Sequence, residues 1–322
     1  MADNGRIISW LLEKKKKLNI EIESIQSTQN YIENLSDIRV SAVIGGYEIA
    51  GRSVADTPER ALAISTCEFI ERLLVHELNL YPGSGIAIHH DPEIAATNAA
   101  YELIERDAVL VHFIAGIPYS RIPSGQEFFP DEACLLRENL TEKQIYLEFY
   151  EARNCSENAH VVICRAKRND RQIFGFGSSN ALTLAMTKAL RETIQNLHLL
   201  IEKHNSSKTT LSRFEILKDH NPIHHGFLGL DPDYTKYIEP LFSNKPHKYS
   251  EFQKTASICL ETYSEHKILQ ELNLQLVKAQ SEDLQKYFLG KTEANKINVG
   301  RFRAFDPIFS EQNLNRMPHF IG

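Results

Sequence analysis

Five glutamates and one glutamine in this chain fall at a spacing that could gather a metal ion. They pair as Glu68 with Glu71, Glu102 with Glu105, and Glu192 with Gln195, three residues apart in each case. Around each pair one pattern recurs without a gap: a glycine, nine residues, an alanine, six residues, a glutamate, one residue, an isoleucine, then Glu or Gln. The copies are Gly51, Ala61, Glu68, Ile70, Glu71; Gly85, Ala95, Glu102, Ile104, Glu105; and Gly175, Ala185, Glu192, Ile194, Gln195. The first two also share Pro58-Glu59 and Pro92-Glu93, and a Glu-X-Ile-Glu-Arg run ending at Arg72 and Arg106.

On a helix, residues three apart share a face and residues seven apart are nearly aligned. Each alanine therefore lies two turns below its carboxylates and keeps that face low, with room for a ligand or a neighbouring helix, while each isoleucine points to the core. Carboxylates converging in a partly buried site repel by several kcal/mol unless compensated. A hard divalent cation removes that cost, and Mg²⁺ in particular takes oxygen ligands, keeps several waters and is completed by substrate phosphates. Glu68, Glu71, Glu102, Glu105 and Glu192 are the candidate metal ligands. Arg72 and Arg106 could fork onto phosphate oxygens, Lys188 lies one turn before Glu192, and Asn98, one turn before Glu102, could add an amide oxygen.

Plainer readings compete. An isolated Glu-X-X-Glu-Arg is what a solvated helix face contains, because Glu and Arg are good helix formers. Three copies with the same glycine, alanine and isoleucine offsets argue against coincidence, although duplicated packing units would keep those three residues as well. His89 and His90 read as polar loop residues as easily as metal ligands. Cys67 adjoins Glu68 but has no evident histidine partner, so no nucleophilic role is assigned to it.

Each repeat needs an element to hold it. Thr57-Pro58, Asp91-Pro92 and Ser179-Asn180 are helix-start signals, the first two with Pro at the first helical position. Each repeat is thus expected as a glycine-ended strand feeding a long helix. Residues 5–16 predict a short helix, and Ile38 to Ala50 alternate around Gly45-Gly46 as a hairpin does. A second β region covers Ile145 to Tyr150, His160 to Arg165 and Gln172 to Gly177, with Asn169-Asp170 as a turn. Beyond Asn205 the pattern weakens: Ser206 to Asn221 is polar, Leu228 to Glu271 mixes signals, and Tyr287 to Leu289 and Ile297 to Val299 look strand-like. Hairpins in place of a regular βαβ period predict an α+β fold with mainly antiparallel sheets and long Ala-rich helices in a three-fold strand-helix repeat. The division expected is an N-terminal helix and strand element over 1–37 and one domain over 38–322 that carries the three repeats.

The 322 residues, 42% hydrophobic with 12 prolines, are ordinary globular composition and promise a sizeable core. A formal charge of −6 argues against nucleic acid or an anionic membrane as main partner. The Lys14 to Lys17 run reads as a solvated helix end. No stretch approaches the ~20 apolar residues that span a bilayer, and Ile7 to Leu12 precede the lysines, the reverse of a secretory signal, so a cytoplasmic protein is expected. Five cysteines without CxxC spacing read as reduced thiols rather than a disulfide framework or zinc site.

The runs Ser65-Thr66-Cys67-Glu68-Phe69-Ile70-Glu71-Arg72, Tyr101-Glu102-Leu103-Ile104-Glu105-Arg106-Asp107-Ala108 and Ala189-Leu190-Arg191-Glu192-Thr193-Ile194-Gln195 resemble the three ATP-binding motifs of the YcaO superfamily. The second is the most specific, and the resemblance runs from about Gly45 to Leu200. It implies ATP bound through Mg²⁺ and activation of a peptide backbone amide, whose resonance makes its oxygen a poor leaving group. In cyclodehydratase relatives a Cys, Ser or Thr side chain adds to the preceding carbonyl, the oxygen takes the γ-phosphoryl group, and phosphate leaves to give an azoline. Carried over by position, Glu68, Glu71, Glu102, Glu105, Glu192 and Gln195 would hold the Mg²⁺ ions and nucleotide, with Arg72, Arg106 and Lys188 on phosphates.

The chain departs from that pattern in places. It ends Arg316-Met317-Pro318-His319-Phe320-Ile321-Gly322, without the proline-rich PxPxP tail of many cyclodehydratases, which leaves the catalytic base open; the apolar Phe320 and Ile321 are expected to dock all the same. Lys188 stands where relatives often have Arg, and His89 where a glycine is expected. The stretch before residue 40 is too short for a fused E1-like leader-binding domain, so that partner is expected as a separate protein. The resemblance allows a homodimer. A thioamide- or amidine-forming relative, and a nucleotide-binding scaffold that has lost catalysis, stay open beside the azoline-forming reading.

Overall fold

The computed structural model describes residues 4–25, 35–81, 83–123, 130–201, 211–217, 220–242, 256–306 and 309–321. Much of the polar stretch from Ser206 to Asn221 lies outside them. The described chain forms two compact units, Met1–Leu103 with Ile258–Gln280, and Ile104–Ser257 with Ser281–Gly322.

The first unit begins with helix α1 (Asn4–Lys14), which buries Ile7, Trp10 and Leu11 at helical spacing, while Lys15, Lys16 and Lys17 stay exposed beyond its end. Strands β1 (Glu21–Ser24), β2 (Ser36–Ile44) and β3 (Tyr47–Ala55) form an antiparallel sheet in that order. The β2–β3 hairpin turns on Gly45 and Gly46, both at positive φ (+60° and +86°), as the two-residue turn requires. Helix α2 (Pro58–Glu77) starts at Thr57, whose side chain accepts the Arg60 amide, and packs on β3 and β2. Strand β4 (Ile86–His89) leads into helix α3 (Pro92–Ala115), where Asp91 Oδ1 accepts the Glu93 and Ile94 amides. The Leu103–Ile104 boundary between the units falls within this helix. A second antiparallel sheet, β4-β10-β9, completes the unit. Its other members are β9 (Cys259–Tyr263) and β10 (Gln275–Gln280), short and far along the chain, which the sequence pattern did not reveal. The core gathers Trp10, Leu11, Val40, Phe69, Ile70, Leu73, Leu269 and Leu276.

The second unit is organised on a four-stranded antiparallel sheet of β5 (Ser120–Ile122), β6 (Tyr146–Ala152), β7 (His160–Arg168) and β8 (Arg171–Ser179), in that order. The β7–β8 turn places Asn169 at φ +55°, as the Asn-Asp signal predicts. Helix α4 (Asp131–Glu142) precedes β6, and α5 (Leu182–Asn196) packs on β8 and β7. Ser179-Asn180 does not cap α5: its cap is Ala181, with no side-chain hydrogen bond, because Ser179 belongs to β8. Helices α6 (Pro232–Ile238), α7 (Lys267–Leu272, in the first unit) and α8 (Val299–Phe305) are short. Neither Tyr287–Leu289 nor Ile297–Val299 is a strand. The first has no ladder partner, and Asn298 instead caps α8 by accepting the Arg301 amide.

The fold is therefore α+β with antiparallel sheets. Among the described residues no helix is long and apolar enough to cross a membrane.

Candidate functional site

The glycines of the repeat do not end their strands. Gly51 lies within β3 opposite Val40, Gly175 within β8 opposite Cys164, and Gly85 just before β4. What each permits is contact between the strand and the helix that follows. A Cβ on Gly51 would stand 2.1 Å from the Ser65 carbonyl oxygen, and one on Gly175 2.2 Å from that of Ala189. At Gly85, with φ +72°, it would meet the Ala279 carbonyl oxygen at 2.8 Å and Leu103 Cβ at 3.3 Å. The repeat alanines serve the same approach: Ala61, Ala95 and Ala185 are each 0% exposed, so their small size is used in packing and does not open a ligand surface. Ile70, Ile104 and Ile194 are buried, as their offset predicts.

That approach brings the first glutamate of each repeat onto the strand. Arg52 N–H donates to Glu68 Oε2 at 2.8 Å, Ile86 N–H to Glu102 Oε2 at 3.0 Å, and Phe176 N–H to Glu192 Oε2 at 2.5 Å, each spanning 16 residues. The acceptor is the same atom and the donor follows the repeat glycine every time. Strands β3, β4 and β8 are each the terminal strand of their sheet among the described residues, so the carboxylate takes an amide that the sheet edge leaves over. Glu68, Glu102 and Glu192 are thus helix-to-strand clips as well as carboxylates, a role their spacing on one helix could not disclose.

In the first unit, Glu71 lies one helical turn beyond Glu68. Burial pushes its carboxyl well above the ordinary value, and the charges of Glu102 and Glu68 push it further, against Arg72 and a hydrogen bond with the Ile88 backbone. These three acids therefore feel one another. Arg72 Nη2 pairs with Glu68 Oε1 at 2.5 Å, and its side chain is 59% exposed. Asn98 is half-buried on α3.

In the second unit, Glu105 is 8% exposed. Burial raises its pKa; the Arg106 charge, a hydrogen bond with the Ser178 side chain and the Lys188 charge all oppose that rise. Lys188 Nζ donates to the Ser178 carbonyl at 3.0 Å, and desolvation lowers its pKa against the attraction of Glu105. Arg106 Cζ stands 5.9 Å from the Phe176 ring centre and 5.7 Å from that of Tyr287. Gln195 and Glu192 are half-buried on α5.

Among the described residues no three His, Cys, Asp or Glu side chains are grouped as a ready-made metal cage. This donor set suits Mg²⁺ nonetheless: that ion is held by one or two carboxylates and completed by waters and phosphates, and a cation would favour the ionised form of Glu71 that desolvation and its acidic neighbours oppose. His89 is the last residue of β4 rather than a loop residue, its Nδ1 accepting the Asp91 amide with the His90 ring 4.1 Å away. Burial and the Glu71 charge push the Cys67 thiol up to about 12, which keeps it protonated and unreactive.

Sequence reasoning missed one part of the second unit. Asp107, next to Arg106, is fully buried and takes a bidentate ion pair from Arg301 (2.8 and 2.6 Å) together with the Gln285 amide at 2.8 Å. The sole hint was an Asp following the motif's Arg. The C-terminal residues do dock, as their apolar character predicts. Phe320 (1% exposed) packs 4.3 Å from Phe174 and 5.7 Å from Phe113, and Ile321 is 0% exposed. Tyr234 donates to the Pro318 carbonyl at 2.6 Å.

Comparison with known proteins gives a consistent set. A family model described as YcaO cyclodehydratase, ATP- and Mg²⁺-binding, matches residues 74–268, which include the second and third acid pairs. No curated protein matches the sequence. The fold is similar to that of YcaO from Methanopyrus kandleri bound with AMPPCP and Mg²⁺, at TM-score 0.59 and 15% identity over 92% of this chain and 96% of that one. It is similar also to a heterocyclase in complex with substrate and cofactor, at TM-score 0.63 and 14% identity, with 99% of this chain covering 57% of that one. A chain of the E. coli microcin synthetase McbBCD complex aligns at TM-score 0.52 and 12% identity, over 77% of this chain and 85% of its own. At such identities the likeness is one of fold.

Proposed function

Because this chain belongs to the YcaO family, we propose that it binds ATP with Mg²⁺ and spends it on a peptide backbone amide, closing Cys, Ser or Thr residues of a ribosomally made peptide into azolines. The observation that carries this reading is that desolvation and the charges of Glu102 and Glu68 all oppose ionisation of Glu71, a cost that a divalent cation relieves. Bound ATP supplies the phosphoryl group that turns the amide oxygen into a leaving group.

The chain's own residues bind and neutralise. Glu68, Glu71 and Glu102, and likewise Glu105 and Glu192, hold Mg²⁺; Asn98 and Gln195 offer amide oxygens or donors to the nucleotide; Arg72, Arg106 and Lys188 meet phosphate oxygens. Positioning and charge neutralisation are the main work of phosphoryl transfer generally. The substrate side chain adds to the preceding carbonyl and loses its proton, the oxygen takes the γ-phosphoryl group and departs as inorganic phosphate, and loss of the amide N–H proton leaves the ring's C=N bond. One water's atoms are thereby removed per ring and one ATP becomes ADP. Residues 38–322 form the catalytic region in this reading, a separate E1-like protein presents the leader peptide, and the reaction belongs to the cytoplasm.

The test combines the purified chain, MgATP, a Cys/Ser/Thr-containing precursor peptide and a leader-binding partner, reading peptide mass and phosphate release. Loss of one water per phosphate released supports cyclodehydration. Gain of sulfur or of an amine points to the thioamide or amidine chemistry, MgATP binding without turnover to a scaffold, and no MgATP binding overturns the reading.

A further inference from the structure

The segment Tyr287 to Gly290 and the terminus Pro318 to Ile321 are fastened to each other at several points. His319 Nε2 donates to the Phe288 carbonyl at 2.6 Å. The His319 ring stacks on His225 at 4.1 Å. His225 bonds the His319 carbonyl through Nδ1 at 2.7 Å and accepts the Gly290 amide on Nε2 at 2.9 Å. Tyr287 donates its hydroxyl to the Ile321 carbonyl at 3.4 Å, and its ring lies 5.5 Å from that of His319. The same ring lies 5.7 Å from Arg106 Cζ. The other ring beside Arg106, Phe176, is held through its own backbone by the Glu192 clip.

From this arrangement we infer that Tyr287 is a positioning residue for Arg106, its ring held by the docked terminus and in turn holding the guanidinium. The inference rests on the reading above, in which Arg106 meets phosphate oxygens. An aromatic ring attracts the cation through its quadrupole and consumes none of the N–H groups. The arrangement therefore orients Arg106 and ties nucleotide affinity to a residue outside all three repeats.

The test is MgATP titration by calorimetry on the full chain, with Tyr287→Leu, Tyr287→Phe, Arg106→Ala and the Tyr287→Leu/Arg106→Ala double variant, alongside the thermal midpoint of each without nucleotide. Tyr287→Leu is expected to weaken MgATP binding roughly fivefold. Tyr287→Phe, which keeps the ring, should stay within about twofold of the parent, and the Leu change should add little once Arg106 is gone. Full additivity of the two substitutions, or equal losses for Leu and Phe, overturns the positioning role while leaving the nucleotide reading intact. If Arg106→Ala leaves MgATP affinity unchanged, the phosphate role of Arg106 fails, and the inference with it. Should Tyr287→Leu lower the thermal midpoint substantially, Phe176→Leu in the same cycle decides by the same criterion.

Discussion

The clip formed by the first glutamate of each repeat can be separated from any role in metal binding by comparing two substitutions at one position. Glu192 is the best place, because Phe176 N–H donates to it at 2.5 Å and Phe176 is 5% exposed. Glu192→Ala removes the acceptor and leaves that amide facing the apolar flank of α5. A hydrogen bond to a charged group contributes roughly 1.5–3 kcal/mol. Because Glu192 is only half-buried, the lower end of that range applies, so Ala should cost about 1.5 kcal/mol. Glu192→Gln keeps an oxygen in reach of the amide and should cost less than about 1 kcal/mol, the margin between charged and neutral acceptors. The assay is urea denaturation of the full chain followed by far-ultraviolet circular dichroism, in parallel with Mg²⁺-dependent ATP binding. Stability should order parent, Gln, Ala, while MgATP affinity falls in both variants because both lose the charge. Equal destabilisation by Gln and Ala would refute the clip. Full MgATP affinity in the Gln variant would refute a metal-binding role for Glu192.

Glu71→Gln should trade function for stability: without Mg²⁺ it relieves repulsion from Glu102 and Glu68 and stabilises the chain by about 1 kcal/mol, while weakening MgATP binding, both measurable by thermal melts with and without MgATP. Gly175→Ala should cost about 3 kcal/mol or more, since its Cβ would meet the Ala189 carbonyl oxygen at 2.2 Å and the Thr193 amide nitrogen at 2.4 Å, both backbone; a denaturation midpoint near that of the parent would mean the strand and helix can separate. Acid should loosen the docked terminus. Burial lowers His225 from 6.5 to about 4, so the folded chain holds it neutral where the unfolded chain takes up a proton; its contribution is complete above pH 6.5 and lost as pH falls toward about 4. The shift corresponds to about 3 kcal/mol, and buried His319, also lowered, acts in the same direction. Denaturant midpoints that stay level from pH 7 to pH 4 would contradict this.

The sequence by itself determined what depends on residues close together in the chain. The three acid pairs, the caps at Thr57 and Asp91, the Gly45-Gly46 hairpin and the Asn169-Asp170 turn follow from helical and strand periodicity and from which residues tolerate positive φ, and the structure has each of them. Tertiary structure decided what depends on partners far along the chain. Whether Glu68, Glu102 and Glu192 clip a strand was fixed by how closely each helix folds back at its glycine, 16 residues from donor to acceptor. Strands β9 and β10 form because β4 needs a neighbour, with Gln275 opposite His89. Asp107 finds Arg301 across 194 residues. Periodicity reports which face of an element is apolar; it carries no record of which distant segment will cover that face, and that choice is made by packing and by the pairing of buried polar groups.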